Sequence, residues 1–166
     1  VTLGRAPHLG VFAQPGPEDR AMAAEMLRSI GAERLAEMPC GNMSGGQFKM
    51  ILIARALIAE PRILVLDEPE TGLDFHNQLV VLTLLRRLVD ESGLTVIMNT
   101  HYPAHALRIA DKVILVGSAH NPTFGTVADV MTESGLEDIF DVEVRISDID
   151  HRDRLIPTVT AMDLRQ

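Results

Sequence analysis

Two adjacent acids close an aliphatic run, Arg62-Ile63-Leu64-Val65-Leu66-Asp67-Glu68-Pro69. Such a run suits a strand buried on both faces of a parallel sheet. Its last residues then stand at the carboxyl edge, where open α/β folds bind ligands. There Asp67 is a hard oxygen donor suited to Mg²⁺. Glu68 can orient or deprotonate an attacking water. Neighbours along a strand face opposite ways, so the two acids are expected to take two roles. Taken alone, the segment reads equally well as a strand ending in a polar turn.

Met43-Ser44-Gly45-Gly46-Gln47 is a second candidate, at the start of an expected helix. Helix N-termini expose unpaired N–H groups and partial positive charge, and glycines let a phosphate come close to the backbone. Ser44 can cap the helix or donate to a phosphate oxygen. On this segment alone an ordinary Ser cap is sufficient. His101 follows a second aliphatic run, Leu94 to Met98. His101 and His105 stand four apart, but the zinc-protease pattern needs Glu at position 102, where Tyr102 stands, and no metal pair is expected. His8, His76, His120 and His151 read as surface residues.

These residues need elements to hold them. Residues 1–17 are rich in Gly and Pro and read as a loop. Pro17-Glu18-Asp19 opens a helix that ends near Gly31. A short helix is expected over residues 33–38, a longer one over 47–59, and another over 75–91 with Leu79, Leu82, Leu85 and Val89 inward. Strands are expected at 62–67, 94–98 and 112–116, with a helix over 103–110. Strands alternating with helices predict an α/β fold with a mostly parallel sheet. The tail reads as a strand at 123–127, short helices within 128–140, and a hairpin of 142–146 with 155–160.

Composition limits the function classes. The 166 residues are 46% apolar and 23% charged, with a formal net charge of −8. No basic stripe is visible, so a nucleic-acid partner is not expected. No apolar run is long enough to cross a bilayer, so direct membrane insertion is not expected. The lone cysteine, Cys40, is expected to be free and buried. The chain opens on Val1 rather than Met, as a piece of a longer product would.

Together the motifs resemble the nucleotide-binding domains of ABC proteins. Met43 to Gln47 resembles the signature motif, with Met for the usual Leu. Leu66-Asp67-Glu68-Pro69 is similar to the Walker B strand with its catalytic glutamate, Gly72-Leu73-Asp74 to the D-loop, and His101 to the switch histidine. Tyr102 and Glu70 depart from the residues common at their positions. Gly4-Arg5-Ala6-Pro7-His8-Leu9-Gly10 with Pro17-Glu18-Asp19, Ala104 to Asp111 and Gly135 to Ile146 resemble ATPases of iron-chelate, haem and cobalamin importers.

The resemblance implies a partial RecA-like P-loop NTPase core with a helical signature subdomain (residues 1–60), a core portion (61–127) and a helical and hairpin extension (128–166). It implies ATP and Mg²⁺ as ligands. Two domains would sandwich two ATP molecules: Ser44, Gly45, Gly46 and Gln47 would serve the partner's nucleotide, and Asp67, Glu68 and His101 the chain's own. Asp74 would work at the dimer interface. The implied partners are a second ATPase subunit and transmembrane permease subunits. The implied place is the cytoplasm, peripheral to the inner face of the membrane. The phosphate-loop string G-x-x-x-x-G-K-[ST] does not occur, and Lys49 and Lys112 are the only lysines. The chain alone is therefore expected not to hydrolyse ATP, and its exposed sheet edge and apolar surface are expected to make it associate. Two alternatives share these motifs: a non-catalytic half that supplies the signature face in trans, and the C-terminal lobe of an SMC-like ATPase.

Overall fold

The computed structural model describes residues 1–9, 14–117 and 121–165. The loop expected over residues 10–13 and the surface placement of His120 fall outside the described residues. The chain divides into two packed units, Val1–Asn99 and Thr100–Gln166.

The first unit holds α1 (Pro17–Ser29), α2 (Gly45–Leu57), β1 (Ile63–Asp67), α3 (Phe75–Ser92) and β2 (Thr95–Asn99). Pro17 occupies the first position of α1, where its missing N–H costs nothing. Asp19 accepts from the Gly16 amide at 2.9 Å and from Arg5 Nε at 3.2 Å. That pair ties α1 to the chain start, where Thr2–His8 forms a 3-10 helix instead of the expected loop. Packing selects it: a β-carbon at Gly4 would lie 2.0 Å from the Arg55 carbonyl oxygen, so only glycine fits against α2. The helix expected over 33–38 is a single 3-10 turn, Glu33–Leu35, and Cys40 is exposed rather than buried.

β1 and β2 pair in parallel, in register from Ile63↔Thr95 to Asp67↔Asn99. Burial holds on one face only. Leu64 is 4% exposed, whereas Val65 is 69% and Ile97 54% exposed, because the pleat turns them to the opposite face. On α3 the buried residues are Val81, Leu82, Leu84 and Leu85, while Leu79 is exposed. Apolar residues ring this helix, so its pattern alone does not select the inner face.

The second unit holds α4 (Pro103–Ile109), β3 (Lys112–Leu115), β4 (Thr123–Thr126), α5 (Val127–Val130), α6 (Glu133–Phe140), β5 (Val142–Asp150) and β6 (Leu155–Leu164). β3 was expected to extend the parallel sheet. Instead it pairs antiparallel with β4, from Lys112↔Thr126 to Leu115↔Thr123. The link between these strands is too short for a helical crossover, so the next strand returns beside it. β5 and β6 form the expected hairpin, longer than its aliphatic centre. Met131, Leu136 and Val144 form the unit's core, with Leu107, Leu115 and Val159 packed on it. The outer edge of β5 is satisfied by acids of α6: Glu133 accepts from the Ile146 amide at 2.9 Å and Glu137 from the Val144 amide at 3.1 Å. Two acids of α6 thus take backbone donors that would otherwise face solvent.

Candidate functional site

β1 delivers Asp67 to the end of the strand, and Asn99, its register partner on β2, donates from Nδ2 to Asp67 Oδ1 at 2.8 Å. The Glu68 amide still donates to the Asn99 carbonyl at 3.0 Å. Beyond that bond the backbone leaves the strand. Glu68 has φ +42°, a left-handed conformation that costs a non-glycine residue about 1–2 kcal/mol. The direction of its side chain is therefore set by a turn, not by strand alternation as the sequence implies.

Three donors hold that turn. Lys49 Nζ donates to the Glu68 carbonyl at 2.8 Å. The Thr71 amide donates to the same carbonyl at 3.2 Å. Thr71 Oγ1 donates to Glu68 Oε2 at 3.0 Å, orienting the carboxylate. Strain of this kind persists only where surrounding groups over-determine it.

At the start of α2, Ser44 and Gln47 form a capping box. The Gln47 amide donates to Ser44 Oγ at 3.3 Å, and the Ser44 amide donates to Gln47 Oε1 at 2.9 Å. Of the two uses open to Ser44, its hydroxyl here serves as the cap. Gly46 is buried against α3, where an added β-carbon would meet Asn77 Cγ at 2.5 Å. Asn77 is itself held by Asp74, which caps α3. Asp74 Oδ1 accepts from the Asn77 amide at 2.8 Å and from its Nδ2 at 2.9 Å. The Asn77 N–H bond is the main reason the Asp74 carboxyl titrates below the usual aspartate range.

The first unit thus links the expected site residues: Lys49 joins α2 to Glu68, and Asn77 joins α2 to Asp74. His101 lies in the second unit, exposed ahead of α4, with its ring centroid 4.2 Å from that of Tyr102. Lys49, Thr71, Asn77 and Asn99 were not singled out by sequence. Asn99 could have been found, because it closes the second aliphatic run as Asp67 closes the first. Lys49 could not, because its partner is a carbonyl 19 residues away. Among the described residues no group of three His, Cys, Asp or Glu side chains could hold a metal, and no helix is long and apolar enough to cross a membrane. The carboxylate of Asp67, exposed and oriented by Asn99, is of the hard-oxygen type that Mg²⁺ takes, with its remaining ligands drawn from water and phosphate.

The first unit thus sets a parallel strand pair, with two acids at the carboxyl edge where open α/β sheets bind ligands, beside a glycine-rich helix start. Residues 4–71 match the sequence model of the ABC transporter family. The molybdate import ATP-binding protein MolC of Haemophilus influenzae is 36% identical over 140 residues, 84% of this chain and 55% of that protein. The iron(3+)-hydroxamate import ATP-binding protein FhuC of Bacillus subtilis is 37% identical over 146 residues, 88% of this chain and 54% of that one. An inward-facing ABC transporter described as of metal-chelate type superposes with a TM-score of 0.92 at 31% identity, covering 97% of this chain and 64% of that one. The chain belongs to the ABC transporter ATP-binding domains. It spans about half the length of the curated relatives it matches.

Proposed function

We propose that this chain provides the signature and catalytic-acid elements of an importer ATPase, which couples ATP hydrolysis to uptake of a metal chelate of the iron-siderophore, haem or cobalamin type. The observation that carries the reading is Glu68, held at the end of β1 by Thr71 and Lys49 beside the outward Asp67. In this reading residues 1–60 form the signature subdomain, 61–127 belong to the ATPase core and 128–166 extend it.

Glu68 accepts a hydrogen bond from the water that attacks the γ-phosphoryl group and draws off its proton as the bond forms. The Thr71 hydroxyl keeps one carboxylate oxygen fixed, which sets the direction in which the carboxylate meets water. Asp67 would hold a magnesium ion, which when bound would neutralise charge developing on the phosphoryl oxygens. His101 contacts the γ-phosphate of the chain's own nucleotide. Ser44, Gly45, Gly46 and Gln47 face the γ-phosphate of the partner subunit's nucleotide, their helix N-terminus favouring an anion. Asp74 lies at the dimer interface. The likeness to a metal-chelate type transporter and to an iron(3+)-hydroxamate import protein supports the cargo class. The assembly would contain a second ATPase subunit and permease subunits, with this chain on the cytoplasmic side, peripheral to the membrane and away from nucleic acid.

The test is ATP hydrolysis by the full-length product of the gene encoding this sequence, with Glu68→Gln beside it. The substitution is expected to lower turnover by about 10²-fold or more while ATP stays bound. Turnover unaffected by Glu68→Gln overturns the assignment. The 166-residue chain alone is expected to show no turnover above background. Uptake of a labelled ferric hydroxamate, lost on deleting the gene, tests the cargo against molybdate.

A further inference from the structure

We propose that Lys49 is a positioning residue. Its ammonium holds the Glu68 main chain in the left-handed turn that aims the carboxylate, and so ties the helix that begins at Ser44 to the catalytic acid. The inference rests on the ATPase reading above and adds to it a residue outside the recognised motifs.

The two Thr71 bonds to Glu68 are local, three residues apart, and belong to the turn itself. The Lys49 bond to the Glu68 carbonyl arrives instead from another helix, across 19 residues of sequence. It is charge-assisted and half-buried, which makes it stronger than a neutral bond in water. A residue with φ +42° relaxes when its restraints are removed, and a carbonyl that swings carries the attached side chain with it. Lys49 also sits two residues beyond Gln47, just past the first turn of the 13-residue helix α2 that Ser44 caps. A regular helix moves as a body, so displacement of its first turn reaches Glu68 through this ammonium. An anion drawing on the start of α2 would thereby shift the acid that serves the other nucleotide.

The experiment is steady-state ATP hydrolysis by the full-length gene product carrying Lys49→Met, Lys49→Gln or Lys49→Arg, with thermal midpoints recorded for each. Lys49→Met is expected to lower kcat about tenfold with KM for ATP changed less than about twofold. Lys49→Arg, which keeps a charged donor, is expected to restore most of the rate. In the Glu68→Gln background, where the carboxylate is already gone, Lys49→Met is expected to cause no further loss. A folded Lys49→Met or Lys49→Gln protein with wild-type kcat overturns the proposal, as does a loss that is fully additive with Glu68→Gln. An inactive wild type defeats the ATPase reading and this inference together. An active wild type with an equally active Lys49→Met variant defeats this inference alone.

Discussion

Gly46 and Asn77 meet so closely that a β-carbon at Gly46 would lie 2.5 Å from Asn77 Cγ and 2.6 Å from its Oδ1. Asn77 cannot simply swing away, because Asp74 holds both its amide and its Nδ2. The start of α2 and the start of α3 are therefore fitted to each other through a glycine. Gly46→Ala is expected to destabilise the first unit by about 1–3 kcal/mol, the usual cost of overpacking. Part of that loss should return in the Gly46→Ala, Asn77→Ala double variant, since the two residues share one contact. Urea denaturation of the four proteins measures it. Equal losses in the presence and absence of the Asn77 side chain would place the cost elsewhere.

Asp74 makes a pH prediction. Its folded carboxyl titrates below the ordinary range, first because of the Asn77 N–H bond. A depressed folded pKa means the charged form is favoured by folding. The contribution is therefore complete above the ordinary aspartate pKa of about 4 and is lost as pH falls through the lower folded value. Asp74→Ala should lower the urea midpoint at pH 7, and the gap from wild type should close below about pH 4. A gap that widens on acidification contradicts the sign.

Leu82 is 0% exposed on α3. Leu82→Ala removes buried methyl groups and leaves a cavity, with an expected cost of about 2–5 kcal/mol. Leu79 is also on α3 but 42% exposed, and Leu79→Ala should cost well under half as much. Comparing the two by chemical denaturation tests which face of the helix is inside, the point on which the apolar pattern misleads.

The β5–β6 turn places Arg152 at φ +53° and Asp153 at φ +61°, closed by His151 and Arg154 bonding each other's backbone. Two-residue turns with positive φ at both central positions favour Asn-Gly. Arg152→Asn with Asp153→Gly relieves two left-handed residues and is expected to stabilise the second unit by about 0.5–1 kcal/mol, seen as a raised thermal midpoint. A lowered midpoint would show that the native side chains supply more than the turn loses.

The sequence by itself determined the helix starts, the aliphatic strands, the closing hairpin and the order of the motifs. These are local matters: a capping Ser44 with Gln47 three residues on, or a run of branched aliphatics, acts on its own neighbours. It also carried the family, because several short motifs in one order are hard to reach by chance. Only the tertiary structure decided which strand β3 joins, which face of α3 is buried, and that the chain start coils against α2 through Gly4. It alone brought Lys49 to the Glu68 carbonyl and Asn77 to Gly46. Each of these is a meeting between residues far apart along the chain, and an apolar or charged side chain carries no mark of its partner. The turn at Glu68 shows the division: the acid is legible in the sequence, but the turn that aims it is held in part by a lysine on another helix.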